Sequence, residues 1–297
     1  YYFRANYGLN NKYLLTLTGR ADGSSRFGAE NQFGFFPSGS LAWRVSQEDF
    51  LKESRAVSDL KFRVSYGITG NQNGIDNFAS RGLFGIDDYR LRATLIPTQL
   101  SNQNLSWEST SQFNAGFDLG LFNNRFSMTA DYFLKQTDDL LLDRIIPGIS
   151  GFPTVIDNIG EVENRGFELT LNGAILTGDF KWDASFNISF IRNEIKKLAV
   201  DEQVISDSHI LAEGHPIGTF FLIDQDGVDP QTGNIIWDDF NNDGIINADD
   251  RQIVGNAQPD YFGGLNNSFS YKGFDFSFLF QFNVGNEIFN NSRAIYE

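Results

Sequence analysis

Phe180-Lys181-Trp182-Asp183-Ala184-Ser185-Phe186-Asn187-Ile188-Ser189-Phe190 alternates an apolar, mostly aromatic residue with a small or charged one for eleven residues. Successive side chains of a strand point to opposite faces, so this segment carries one greasy face and one wet face. Phe126-Ser127-Met128-Thr129-Ala130-Asp131-Tyr132 repeats the pattern, as does Phe274-Asp275-Phe276-Ser277-Phe278-Leu279-Phe280-Gln281-Phe282-Asn283. Strands of soluble sandwiches usually run only about 5–6 residues. Runs of about 10 are what a tilted strand needs to cross a bilayer. The greasy face is Phe, Trp and Tyr more than Val and Ile, which suits a lipid-facing wall with aromatic girdles. Phe180, Trp182, Phe186, Ile188 and Phe190 are therefore expected to face lipid. Lys181, Asp183, Ser185, Asn187 and Ser189 are expected to face a lumen. Aromatic stripes also serve as carbohydrate-stacking platforms, but a period of two sustained over whole strands favours the wall.

Composition supports this class. Thirty of the 297 residues are Phe, none is Cys, and the net charge is −15. The missing Cys excludes a disulfide scaffold and thiolate metal sites. The acidity argues against a nucleic-acid partner. No run of about 18 apolar residues is present, so no transmembrane helix is expected. The mildly negative mean hydropathy is no obstacle, because half of each barrel strand faces water. The chain starts inside a strand pattern (Tyr1-Tyr2-Phe3-Arg4-Ala5-Asn6-Tyr7) without an initiator Met, and ends abruptly at Glu297. It reads as a piece of something larger.

The pattern places strands at about 1–8, 12–22, 33–45, 59–70, 105–120, 125–138, 164–176, 179–195, 260–271 and 273–284, with a helical turn near 47–51. The fold expectation is all-β: an antiparallel transmembrane β-barrel domain spanning 1–297, about ten strands of a larger cylinder. Asn10-Asn11, Phe122-Asn123-Asn124, Thr177-Gly178 and Lys272-Gly273 are turn signals rich in residues that tolerate positive φ. Between them lie long connections at 23–32, 71–104, 139–163 and 196–259. Short turns on one rim and long loops on the other are the asymmetry of outer-membrane barrels, periplasmic and extracellular respectively. Open edges in lipid leave backbone groups unsatisfied, so the sheet should show free edges near 1–8 and 273–284 and need further strands to close.

Several strings beside the loops are more specific. They are Arg20-Ala21-Asp22-Gly23-Ser24-Ser25-Arg26-Phe27-Gly28, Phe36-Pro37-Ser38-Gly39-Ser40-Leu41-Ala42-Trp43-Arg44 and Leu60-Lys61-Phe62-Arg63-Val64-Ser65-Tyr66-Gly67-Ile68-Thr69-Gly70-Asn71-Gln72. Asn104-Leu105-Ser106-Trp107-Glu108, Asn158-Ile159-Gly160-Glu161-Val162-Glu163-Asn164-Arg165-Gly166-Phe167-Glu168 and Gln258-Pro259-Asp260-Tyr261-Phe262-Gly263-Gly264 follow. In order and spacing the series resembles the SusC/RagA family of TonB-dependent outer-membrane transporters of Bacteroidetes. The resemblance implies a barrel of about 22 strands around a plug. It also implies a SusD-like lipoprotein partner, the TonB complex as energy source, and import of glycan (oligosaccharide) or peptide fragments across the Gram-negative cell outer membrane. Plug, TonB box and the first and last strands would lie outside this stretch. A passive porin or a surface adhesin barrel is the alternative, and a plug with a TonB box would separate the two.

One string carries metal chemistry. Asp239-Phe240-Asn241-Asn242-Asp243-Gly244-Ile245-Ile246-Asn247-Ala248-Asp249-Asp250, inside the long loop 196–259, has the spacing of an EF-hand-like Ca²⁺ loop. Its expected ligands are Asp239, Asn241, Asp243, the backbone carbonyl of Ile245, Asn247 (through water) and Asp250. Asp replaces the usual bidentate Glu at the twelfth position. An ion-free Asx-rich turn is the competing reading. Asp224-Gln225-Asp226-Gly227-Val228-Asp229 reads as a turn, with the donation of one more ligand to the same loop as the lesser reading. His209 and His215, six apart without Cys, make a poor metal site. No nucleophile elbow, phosphate-cradling motif or carboxylate pair points to an enzyme. Tyr13, Tyr89 and Trp107 are aromatic candidates for substrate contact that nothing in the sequence selects.

Overall fold

A computed structural model describes residues 1–89, 92–198, 202–206 and 208–290. Ten long strands form one antiparallel sheet in sequence order: β1 Tyr2–Leu9, β2 Tyr13–Gly23, β3 Phe33–Arg44, β4 Val57–Asn71 and β5 Glu108–Leu121, then β6 Phe126–Asp138, β7 Glu161–Thr177, β8 Phe180–Lys197, β9 Tyr261–Tyr271 and β10 Phe274–Val284. All ten fall where the alternation places them, and β8 reaches 18 residues. Among the described residues β1 and β10 pair with their one neighbour each and not with each other, so the sheet stays open at the two expected edges. No described helix is long and apolar enough to cross a membrane.

The register fixes the faces. Phe3, Ala5, Tyr7 and Leu9 lie opposite Gly19, Leu17, Leu15 and Tyr13. The same row continues through Tyr13–Trp43, Trp43–Phe62, Phe62–Phe117 and Phe117–Ala130. Farther round, Leu171–Phe186, Phe186–Leu265 and Leu265–Phe280 pair on the same face. One side of the sheet is thus mainly apolar and aromatic, with Asn267 set into it as the acceptor of Trp182 Nε1 and charged residues at the loop end of β7 and β8. Phe180, Trp182, Phe186, Ile188 and Phe190 lie on it as expected. Ring contacts run along it: Trp182–Phe269 at 5.7 Å, Phe186–Phe282 at 6.4 Å and Phe190–Tyr261 at 5.7 Å. Many of these rings are more than a third exposed, Phe276 and Phe280 at 63% each, because no protein layer covers them. A soluble sheet would leave no such face uncovered.

The turns follow from their residues. Asn10 and Asn11 adopt φ of 52° and 60°, and Lys272 and Gly273 adopt 46° and 88°, the left-handed backbone of tight hairpins. Phe122, Asn123 and Asn124 do the same between β5 and β6. A bulge between Ala174 and Leu176 leaves carbonyls out of the ladder, and the Arg125 guanidinium donates to Ala174 O at 2.7 Å and Ile175 O at 2.6 Å. The helical turn comes slightly earlier than expected, as a 3₁₀ turn at Val45–Gln47, because Ser46 is held by its Oγ donating to Asp59 (2.9 Å). The Glu48 carbonyl then accepts from Leu51 and Lys52.

On the opposite rim the connections carry structure the alternation does not show. Residues Leu83–Tyr89 and Arg92–Gln99 form a hairpin, and so do Leu141–Ile145 and Thr154–Asn158. The longest connection begins after Lys197 rather than at 196. It holds a four-stranded antiparallel sheet (Glu202–Ser206, His209–Ala212, Thr219–Ile223, Arg251–Asn256) and a small hairpin (Gln225–Val228, Ile235–Trp237).

Candidate functional site: the inner face and the loop rim

The face opposite the aromatics is mainly polar, and its residues bond across strands. Thr16 Oγ1 donates to Asn6 Oδ1 (2.9 Å), Asn172 Nδ2 to Ser127 Oγ (3.3 Å), and Ser185 Oγ to Asn172 Oδ1 (2.7 Å). On β4–β6 this face is ionic. Lys61 Nζ lies 2.8 Å from Asp118 Oδ2, and Arg63 Nε and Nη2 grip the same carboxylate at 3.0 and 3.1 Å. Arg63 Nη2 also donates to Asp131 Oδ2 at 3.1 Å, and Thr129 Oγ1 to Asp118 Oδ1 at 3.3 Å. The charges sum to zero, so this patch gives the inner wall shape and polarity rather than net field. No sequence motif marks this patch, because Arg63, Asp118 and Asp131 meet only through the strand register.

Three outer connections are locked together. Phe27, Ile75, Ala79 and Leu105 form a buried core against which Trp107, Leu141 and Ile156 pack. Arg26 Nη1 donates to Ile75 O (3.0 Å) and its Nε to Asn77 Oδ1 (3.2 Å). Asn102 Nδ2 donates to Ile156 O (3.0 Å), and Asn158 Nδ2 to Ser106 O (3.0 Å). The rim is a built platform, with connections 24–32, 72–107 and 139–160 contributing to one core.

This assigns the aromatic candidates. The Trp107 ring packs 4.9 Å from Phe27 and 5.5 Å from Phe36, and its Nε1 donates to Gln32 O, so it is part of the platform's core. Tyr13 lies at the short-turn rim on the aromatic face, its hydroxyl donating to Glu48 Oε1 (2.8 Å). The side chain of Tyr89 lies outside the described residues. Glu48 also accepts from Trp43 Nε1 (3.1 Å) and Lys12 Nζ (2.8 Å). These bonds, the one from Lys12 foremost, lower the Glu48 carboxyl to about 2, and Glu48 raises the Lys12 ammonium in turn.

The string 239–250 forms a tight coil ending in the 3₁₀ turn Ala248–Asp250. Asp239 accepts from the backbone N–H groups of Asp243 (3.1 Å) and Gly244 (2.8 Å). Asn241 Oδ1 also accepts from Asp243 N, and Asp243 Oδ1 from Ile245 N (2.8 Å). Asn247 caps the final turn by accepting from Asp249 N (2.7 Å). Asp250 is fully buried and accepts from Asn247 N (2.8 Å) and Asn241 N (3.4 Å), tying the late end of the coil to the early end. Gly244 sits at φ 81°, where only a residue without Cβ is unstrained. Among the described residues no three His, Asp or Glu side chains gather into a metal-holding group. The string Asp224–Asp229 forms part of the small hairpin and does not read as a simple turn; Asp229 is held below the usual carboxylate range by Thr232 Oγ1 and the N–H of Gln231. The His209 ring packs on Phe220 at 5.0 Å, and His215 engages through its backbone N–H to Ala212 O.

An open antiparallel sheet, greasy outside and polar inside, with tight turns on one rim and a built loop platform on the other, is a section of the wall of a Gram-negative outer-membrane β-barrel. The chain belongs to the family described as TonB dependent receptor-like, beta-barrel, whose pattern matches residues 1–275. It is 36% identical to TonB-dependent receptor P3 of Formosa agariphila, over 97% of this chain and 32% of that protein. It is also 36% identical to TonB-dependent receptor SusC of Bacteroides thetaiotaomicron, over 97% of this chain and 31% of that protein. Among solved structures, the RagAB peptide importer in its open-open state matches with a TM-score of 0.86 at 31% identity, covering 96% of this chain and 32% of that one. The chain thus spans about a third of the length of the relatives it matches. The family is one of receptors and transporters, not of enzymes.

Proposed function

We propose that this chain supplies part of the barrel wall and outer rim of a TonB-dependent importer of nutrient fragments, glycan or peptide, that works with a SusD-like surface lipoprotein. The observation that carries the reading is the register of the ten-strand sheet. It turns a largely apolar, aromatic face to one side and a hydrogen-bonded polar face to the other, the division of a barrel wall between lipid and lumen. The likeness to SusC and to the RagAB peptide importer supports both the import function and the lipoprotein partner. The decisive measurement is uptake of labelled oligosaccharides and peptides by cells carrying the full-length receptor, with and without TonB. Uptake should vanish without TonB. Uptake that persists would favour the passive porin.

We further propose that the coil 239–250 takes up Ca²⁺ as a structural ion of the outer rim. The spacing of its oxygen donors, the turn at Gly244 and the closure through Asp250 support this, although Asp239 and Asp243 would have to trade backbone N–H partners for the ion. Calorimetry with the detergent-solubilised full-length receptor tests it. Heat of binding in wild type that is absent in Asp239→Ala supports the site; no heat at millimolar calcium removes it.

A further inference from the structure

Strands β7 and β8 place two arginines side by side on the aromatic face. Arg165 and Arg192 are register partners, directly across the ladder from each other. Like charges so placed repel, and natural sheets avoid them without a compensating group. Neighbouring charges on the same face are Glu163, Glu194 and Lys196. Lys196 Nζ takes Glu194 at 2.7 Å and Glu163 at 3.9 Å, while Arg165 Nη1 stands 3.6 Å from Glu163. Among the described residues Arg192 has no carboxylate within 4.0 Å.

The pair borders a recess of about 520 Å³. Tyr132, Phe167, Phe190 and Tyr261 form an aromatic shelf around it, each of the first three over 40% exposed. Strand β9 stops pairing with β8 at Ser189–Phe262, so the recess opens where the ladder ends and the chain 256–261 crosses the rim. Asp260 also lines the recess, its carboxylate beside Gly285, so the arginines mark the side on which an anion is held.

Height decides what could fill it. Arg192 is twelve residues along β8 from Phe180, which follows the inner turn. At ~3.3 Å per residue and a tilt of ~40°, that is ~30 Å along the membrane normal. The apolar band of such barrels is about 25 Å tall, so the arginines stand at the outer headgroup level with the aromatic shelf just below. A phosphate there meets a fork of donors from each guanidinium. We propose that this recess binds the phosphate of an outer-leaflet lipid, Arg165 and Arg192 holding the phosphate and the aromatic shelf lying along the acyl chains. A free phosphate would match the arginines but not the shelf.

The test uses the full-length receptor in detergent, with native mass spectrometry reading bound lipid. Monophosphoryl lipid A is titrated in, alongside its dephosphorylated counterpart and inorganic phosphate as competitor. Wild type should bind the phosphorylated lipid, and Arg165→Gln with Arg192→Gln should weaken it by about tenfold or more. The Lys pair (R165K, R192K) should retain part of the binding. Heat-modifiable migration on a gel checks that each variant is folded. Equal binding of the dephosphorylated lipid, or an unaffected Gln pair in a folded barrel, would overturn the proposal. Full competition by millimolar inorganic phosphate would assign the arginines to the free ion instead.

Discussion

Asp131 reaches Arg63 across an intervening strand, because the residue between them in the row is Gly116. Register pairs Arg63 with Gly116 and Gly116 with Asp131. A Cβ at position 116 would lie 2.0 Å from Asp131 Oδ1 and 2.8 Å from Ala130 O. The absent side chain therefore lets one guanidinium bridge Asp118 on its neighbouring strand and Asp131 one strand farther, stapling β4, β5 and β6 together.

Gly116→Ala should push the Asp131 carboxylate aside and cut the longer arm of the staple. The Arg63 side chain is 36% exposed and those of Asp118 and Asp131 25% and 23%, so screening limits the loss to about 1 kcal/mol, with a further contribution from crowding against Ala130 O. Urea unfolding of the full-length barrel in detergent should give a lower midpoint for G116A. Asp131→Asn combined with G116A should cost little more than G116A alone. Additive losses would mean that the two positions act independently.

The two faces of β8 should respond oppositely to charge. Phe186 lies on the lipid side and Asn187 on the inner side. Arg at a lipid-facing midplane position costs about 2–4 kcal/mol, while inner substitutions are tolerated. Folding of Phe186→Arg into liposomes should be weakened by that amount and Asn187→Arg by under about 1 kcal/mol. Equal losses would reverse the assignment of the apolar face.

At the short-turn rim, stability should depend on acid through Glu48. Its carboxyl sits at about 2, against an ordinary value of 4.5, because Lys12, Trp43 and Tyr13 all donate to it. A lowered carboxyl contributes stability above its ordinary value and loses it as pH falls towards the lowered one. Between about pH 4.5 and 2 the wild-type rim should therefore loosen. Glu48→Gln should already be looser at pH 7 and lack that part of the acid response. Hydrogen exchange of residues 44–52 at pH 7 and pH 3 reads this directly. An unchanged acid response in E48Q would assign it to other groups.

The wall was legible because a lipid-facing strand writes its environment into every second residue, as Phe180 to Phe190 and Phe274 to Phe282 do. Turns were legible because Asn10, Asn11, Lys272 and Gly273 fall where the backbone must enter the left-handed region. The inner ionic staple was not, since Arg63, Asp118 and Asp131 acquire meaning only once three registers are known. Nor was the role of Trp107. An aromatic beside a loop looks the same in sequence whether it stacks on a ligand or, as here, on Phe27 and Phe36. The rim's hairpins were hidden because segments such as Leu83–Tyr89 are short and interrupted by Gly85, Asp87 and Asp88.

Asp250 offers the sharpest separation between an ion-free coil and a calcium coil. It is fully buried, and its two oxygens hold Asn241 N and Asn247 N, so it closes the coil whether or not an ion is present. Asp250→Ala leaves two backbone donors without their acceptor, each loss worth about 1–3 kcal/mol where water cannot replace it. Limited proteolysis of the intact receptor should then cut within 239–250 faster, while heat-modifiable migration of the barrel stays unchanged. Calcium distinguishes the two readings. If the coil binds it, chelation should accelerate cleavage of wild type, by more as the calcium initially present exceeds the site's dissociation constant, and should leave D250A unaffected. If the coil is held by Asp250 and its hydrogen bonds alone, chelation should change neither. Asp239→Asn adds the second axis: it keeps an acceptor for Gly244 N and Asp243 N but removes a formal charge. An ion-free coil should tolerate it, and a calcium coil should lose affinity, because a hard divalent cation depends on the charge of its ligands.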